Sequence, residues 1–218
     1  MADISIAIVG LLGVVAGGYF NNFLAEDYKR FRDSQALAGA LAGELEAHGE
    51  AIPLLQKSLP ILSDMAGRGL QLNMPESEKP NSPIFEENAG KIGALGPELA
   101  REVAYVYENI NAFRAGMHQV SKVHKDMEPH WNHAMLKGCL ERIEGAQARG
   151  EPLIGLLKAH AKASYWWRLA TIKQIVFATV LFVGFLVAMM VFSQRSQENT
   201  NCTTVFDHAK GVLTTICK

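Results

Sequence analysis

The stretch Gln174–Gln194, QIVFATVLFVGFLVAMMVFSQ, carries no charged side chain and is dense in Val, Phe, Leu and Met. A bilayer core about 30 Å thick needs about 20 apolar residues of helix, and this run has that length. Tyr165, Trp166, Trp167, Arg168 and Lys173 lie just before it. Aromatic rings and snorkelling cations mark a membrane–water boundary. The run predicts a transmembrane helix over 174–194.

A second uncharged run, Ile4 to Ala25, opens the chain. A secretion signal would begin with Lys or Arg, have a shorter apolar region and end at a small-residue cleavage site. Here Met-Ala-Asp comes first and the cations Lys29, Arg30 and Arg32 come afterwards. That order predicts a retained transmembrane helix over 1–25; a buried core helix is the competing reading. Within it Gly10, Gly13 and Gly17 form a small-residue face of the G-x-x-x-G kind, which lets helix backbones approach closely. Asn21 and Asn22 near the inner mouth leave a pore open as a use for this span. Neither run holds an ionisable residue, which argues against active transport.

Lys and Arg near the span ends set the orientation. They flank the middle segment, at Lys29, Arg30, Arg32, Lys158, Lys162, Arg168 and Lys173, and thin out to Arg195 and Lys210 beyond the second run. The middle, 26–173, is therefore expected in the cytoplasm of a bacterial inner membrane, with the N-terminus and the tail 195–218 outside. Cys202 and Cys217 fall in that tail, where a disulfide would persist. Cys139 falls on the reducing side, where a lone thiol behaves as a small apolar residue.

The middle segment reads as all-α. Phe31, Ala38, Leu41, Leu45, Ile52, Leu55, Leu59, Leu62 and Ala66 step by threes and fours, with Ser34 and His48 in the gaps. This heptad-like seam predicts one long helix continuing from the first span, kinked or broken at Pro53 or Pro60. A loop from Gly67 to Ser82 follows, then a short helix opened by Ser82-Pro83 as cap and first residue. Leu99, Val103, Val106, Ile110, Phe113, Met117 and Val120 repeat every four or three residues, so a helix begins near Pro97 and stops before Pro129. A further helix is expected over 130–149, a turn at Gly150-Glu151-Pro152, and a last helix running unbroken into the second span. The expected fold is all-α: two transmembrane helices flanking a cytoplasmic antiparallel helical bundle. The seams can also close between copies, as a coiled coil.

Chemistry is sparse. Net charge is −1, with 21 Lys and Arg against 22 Asp and Glu interleaved, so no basic stripe announces nucleic acid. Four of the seven histidines, His118, His124, His130 and His133, fall close together, a set that a metal or a helical hydrolase or nuclease would use if they converged. Arg114 and His118 resemble the Arg…His motif of helical RNases of the HEPN class, at a spacing one residue shorter. Glu44 and Glu46, and Glu86 and Glu87, do not face one another on a helix and read as solvated charges. No cofactor motif is present.

The segment SPIFEENAGKIGALGPELAREVAYVYENINAFR resembles a recurrent segment of small, mostly uncharacterised bacterial and phage membrane-anchored proteins, through Phe85, Asn88, Gly93 and Leu95, with Tyr107 downstream. The resemblance covers about residues 1–120 and implies an N-terminal span with a soluble helical domain, and no activity. The second span and the cysteine tail depart from that pattern. The function expected from all of this is non-enzymatic. An integral membrane protein would self-associate or bind a cytoplasmic protein partner through its helical domain, in contact with lipid, as a pore-forming or phage-defence-type effector or as a plain tether.

Overall fold

The computed structural model describes Gly10, Gly13, Val14, Gly17, Gly18, residues 23–76 and 78–198, and the backbone of 202–207 and 212–217. Side chains are described as far as Met190, except Ala188. Most of the expected first span, Asn21 and Asn22 included, lies outside the described residues. The chain divides into two compact units, Met1–Ala163 and Ser164–Lys218.

The first unit is all-helical. It holds α1 (Ala25–Gly49), α2 (Ile52–Gly67), the short α3 (Pro83–Asn88) with a 3-10 segment Ala89–Leu95, α4 (Pro97–Val123) and α5 (Pro129–Lys162). The seam helix breaks where Pro53 requires it. Pro53 has no N–H to offer the carbonyl of Gly49, so α1 stops there, the chain tightens through Glu50 and Ala51, and Pro53 enters the first turn of α2. Pro60 is carried inside α2.

α5 is the element on which α1, α2 and α4 all pack. The packing of α1 and α2 is antiparallel to it. Ser34 meets His160, Gln56 meets Gln147 and Ser63 meets His133, so numbers rise on one side as they fall on the other. Lys158 pairs with Glu46 on the same side. α4 runs antiparallel on the other side, with Tyr105 under Arg149, Asn109 accepting from Arg142, and Asn132 donating to the carbonyl of His124. The two helices approach closely at Gly116, where a Cβ would sit 2.7 Å from the Cys139 sulfur.

The seams close within the chain. Leu37, Ala38, Leu41 and Leu45 meet Val103, Val106, Ile110, Leu153 and Leu157 in one core, with Leu99 packed against it. Leu59, Ala66, Val120, Leu136 and Ile143 form a second core, with Phe113 and Met117 packed against it. The α4 seam therefore hands over from one core to the other between Ile110 and Phe113.

Two expectations are corrected. There is no turn at Gly150-Glu151-Pro152: α5 is continuous from Pro129 to Lys162 with Pro152 inside it. Gly150 lies 3.7 Å (from a built Cβ) from Val106, and Leu153 is buried beside it. Packing on both sides of α5 outweighs the local preference to break. Nor does the last helix pass unbroken into the apolar run. Ala163 and Ser164 are extended, a 3-10 turn covers Tyr165–Trp167, and Arg168 is extended again.

The second unit holds α6 (Leu169–Glu198) and a hairpin of β1 (Cys202–Asp207) and β2 (Val212–Cys217). Leu169–Val187 in α6 is long and apolar enough to cross a membrane, and 6% of that window is buried. It is the one such helix among the described residues. The hairpin is antiparallel with Cys202 directly opposite Cys217. No alternation in the sequence signalled these strands, since Thr203-Thr204 and Thr214-Thr215 interrupt any period of two.

Candidate functional site

The first unit's densest polar network lies between its two cores, where α3 docks onto α1 and α4. It starts from Glu44, a carboxylate that sequence reading leaves in water. Glu44 is 7% exposed. Its Oε1 accepts the N–H of Ile84 at 2.9 Å, and Oε2 accepts the N–H of Phe85 at 3.1 Å and the Tyr107 hydroxyl at 2.7 Å. Ile84 and Phe85 supply two of the four N–H groups that a helix start leaves unpaired. Glu44 thus does from α1 what an N-cap side chain normally does locally. Pro83 takes the first helical position as expected, but the Ser82 side chain makes no cap bond.

The freed Ser82 hydroxyl is fully buried and serves another pair. It accepts from Arg114 Nη1 at 2.6 Å and lies 3.2 Å from His48 Nε2. Because Ser82 accepts from the guanidinium, its own proton goes to His48 Nε2, which suits a neutral ring. Arg114 Nη2 sits 3.3 Å from both ring nitrogens, so it approaches between them rather than along either lone pair. Phe85 stacks on Tyr107 at 4.0 Å, and His48 meets the same ring edge-on at 6.5 Å.

Burial and charge set the protonation states. Burial, then the hydrogen bond to Glu44 and its charge, push the Tyr107 hydroxyl far above its ordinary range, so it stays a donor. Burial and then the Arg114 charge hold His48 below its usual 6.5, against the pull of Glu44. Burial lowers Arg114 while Glu44, Glu86 and Tyr107 raise it, and a guanidinium keeps its charge under such shifts. Arg114 is 8% exposed. Among the described residues it has no carboxylate at ion-pair distance.

An open cleft of about 480 Å³ adjoins this network at the break between α1 and α2. Its walls come from both cores, including Leu45, Ile110, Phe113 and Ile143, and Arg114 and His48 line it.

The four histidines that lie close in sequence are spent separately. His133 ties α5 to α2, with Nδ1 2.8 Å from the Ser63 carbonyl. His124 folds back on α4, with Nδ1 3.1 Å from the carbonyls of Val120 and Ser121. His130 is exposed and pairs with Glu128 at 3.0 Å. His118 is half-buried on α4. Among the described residues no group of three or more potential ligands could hold a metal. Arg114 turns to Ser82 and His48. Gly10, Gly13 and Gly17 are helical, and a Cβ at any of them would meet nothing within 4 Å.

The chain matches no family model, no curated protein and no solved structure. Its chemistry therefore rests on the geometry above. Of the residues of the resemblance, Phe85, Asn88, Leu95 and Tyr107 share one task, while a Cβ at Gly93 would meet nothing within 4 Å. Phe85 and Tyr107 stack, the Asn88 amide donates to the Ile84 carbonyl at 2.9 Å, and Leu95 is buried in the first core. They dock the Ser82–Leu95 segment.

Part of the signal for the site was present in the sequence. Ser34 and His48 are polar residues on an apolar seam, and Glu44 and His48 are four apart on one face of α1. A polar side chain at a core position needs a partner, and each of these has one.

Proposed function

We propose that this chain is a non-enzymatic integral membrane protein. Its α6 crosses the bilayer and its helical domain works by binding, either a cytoplasmic protein partner or further copies of itself. The observation that carries this reading is the exposure of α6. Phe177, Val180, Leu181, Phe182 and Val187 are all more than half exposed, a surface that water penalises and lipid does not. Nineteen residues of helix rise about 28 Å, close to the thickness of a hydrocarbon core. Trp166 and Trp167 are exposed just before it, where an aromatic belt belongs.

The excess of Lys and Arg on the domain side of α6 supports a cytoplasmic domain and an outer tail. The register of the hairpin is the one a disulfide in an outer tail would need. Directly opposed residues in an antiparallel pair lie about 4.5–5.5 Å apart at Cα, within the range a disulfide spans, so an oxidising compartment would join Cys202 to Cys217. The run at 1–25 supplies a second span, with its glycine face open to another helix. The network at Glu44 and Tyr107 spends its polar groups on docking α3, which suits a rigid binding body.

Impermeant maleimide labelling of whole cells tests the reading. A cysteine introduced at the exposed Glu98 should stay unlabelled until the membrane is breached, and Cys217 should label after mild reduction. Labelling of Glu98→Cys in intact cells, or release of the chain by alkaline carbonate, would overturn it.

A further inference from the structure

Burying a charge is expensive unless an opposite charge or several hydrogen bonds meet it. Arg114 is buried, yet the two side chains its Nη atoms meet, Ser82 and His48, are both neutral. A guanidinium has five donors in a fixed fork. Ser82 and His48 occupy its Nη1 and Nη2 ends, its Nε is not sealed away unpaired, and Arg114 lines the cleft. Glu44 and Glu86 offset the charge only from beyond ion-pair distance, and the Glu44 oxygens are already taken by Ile84, Phe85 and Tyr107.

The rest of the cleft is mostly apolar. Ile52, Phe113 and Ile154 contribute to its walls, and Ala47, Gly49 and Ala51 at the helix break leave it room. Its volume is within the range of small-molecule sites. One acid stands at its rim: Glu151, which accepts from Gln147 at 3.0 Å. That charge, with Glu44 behind Arg114, disfavours a doubly charged head. A planar single charge matches the fork of an arginine best.

We propose that this cleft binds a monocarboxylate carried on an apolar body, with Arg114 as the partner of the carboxylate and the two cores as walls for the body. The site belongs to the first unit and does not depend on how the chain is oriented in a membrane. Such a ligand could arrive from solution or from the bilayer, as a soluble acid or a free fatty acid.

Hydrogen–deuterium exchange on the full chain in phosphatidylcholine nanodiscs tests this. Octanoate added from solution should slow exchange in the α1–α2 joint, over 47–55, and around Arg114. Octanol at the same concentration should need at least tenfold more to give the same protection, and octylammonium should give none. Palmitate incorporated in the disc, compared with octanoate, separates the two sources: protection by palmitate alone would assign the bilayer. Arg114→Lys should retain octanoate protection in part and Arg114→Gln should lose it. Should Arg114→Gln not fold, Ala51→Phe decides, because it fills the cleft from an exposed position without touching the network. Equal protection by octanol and octanoate, full protection in Ala51→Phe, or no protection by either acid would overturn the proposal.

Discussion

At the scale of single residues, the domain depends on a carboxylate that was expected in water and is buried. Glu44 is held by three donors, of which Tyr107 gives the only side-chain one. Tyr107→Phe removes that hydroxyl and leaves the stack on Phe85 in place. A hydrogen bond to a charged group is worth about 1.5–3 kcal/mol, so the variant should lose that much in urea unfolding of the full chain followed by helical circular dichroism. A loss near zero would mean that water replaces the hydroxyl. His48 gives a pH dependence of known sign. Its folded-state value lies below 6.5, so just under that pH the unfolded chain binds more protons than the folded one. The stability from neutral His48 is intact above 6.5 and is lost as pH falls from there toward the folded value. His48→Gln should flatten that part of the profile between neutral pH and about pH 5. The groups facing His48 are Arg114, Ser82, Tyr107 and Glu44, so the difference between the two profiles isolates its titration. Cys139 belongs to the same scale. Burial pushes its thiol up to about 11, and in the native fold it should resist alkylation.

At the scale of elements, periodicity was the readable part. The seams at Phe31–Ala66 and Leu99–Val120 face inward as their spacing requires, because a three–four repeat has only one way to bury itself on a helix. Breakers were less readable, since a proline reports a local cost and packing decides whether that cost is met. Pro53 breaks a helix that has no neighbour filling the joint, and a cleft remains there. Pro152 breaks nothing, because Gly150, Leu153 and Leu157 are held on both sides by α1 and α4. The site was legible only in part. His48 stood out as a polar residue on an apolar seam, whereas Glu44 meets Ile84 and Phe85 across 40 and 41 residues, and Ser82 meets His48 and Arg114 across 34 and 32, contacts that no local spacing encodes. The continuity of α5 makes a prediction. Proline inside a helix costs about 3 kcal/mol relative to alanine, and Pro152 is exposed. Pro152→Ala should therefore stabilise the chain, by about 1–3 kcal/mol, read as a higher urea midpoint. Were residues 150–152 a turn, the same change would destabilise it.

At the scale of the whole molecule, the two units treat apolar surface differently. The first hides its apolar faces inside two cores; the second leaves them exposed along α6. The chain between them changes from helix to extended backbone and back within Ala163–Arg168. The tail beyond α6 can report which side it occupies, because its two cysteines are opposed in a hairpin and its compartment decides their oxidation. With the tail outside, a chain trapped in cells with acid, denatured and alkylated should expose one reactive thiol, that of Cys139, and all three only after reduction. Three reactive thiols before reduction would place the tail in the cytoplasm and invert the orientation. Replacing Cys217 alone should leave Cys202 free and reactive, which separates this pairing from a disulfide between copies. The same experiment on a chain shortened before Ser196 should give one reactive thiol with or without reduction, since Cys139 is then the only cysteine left.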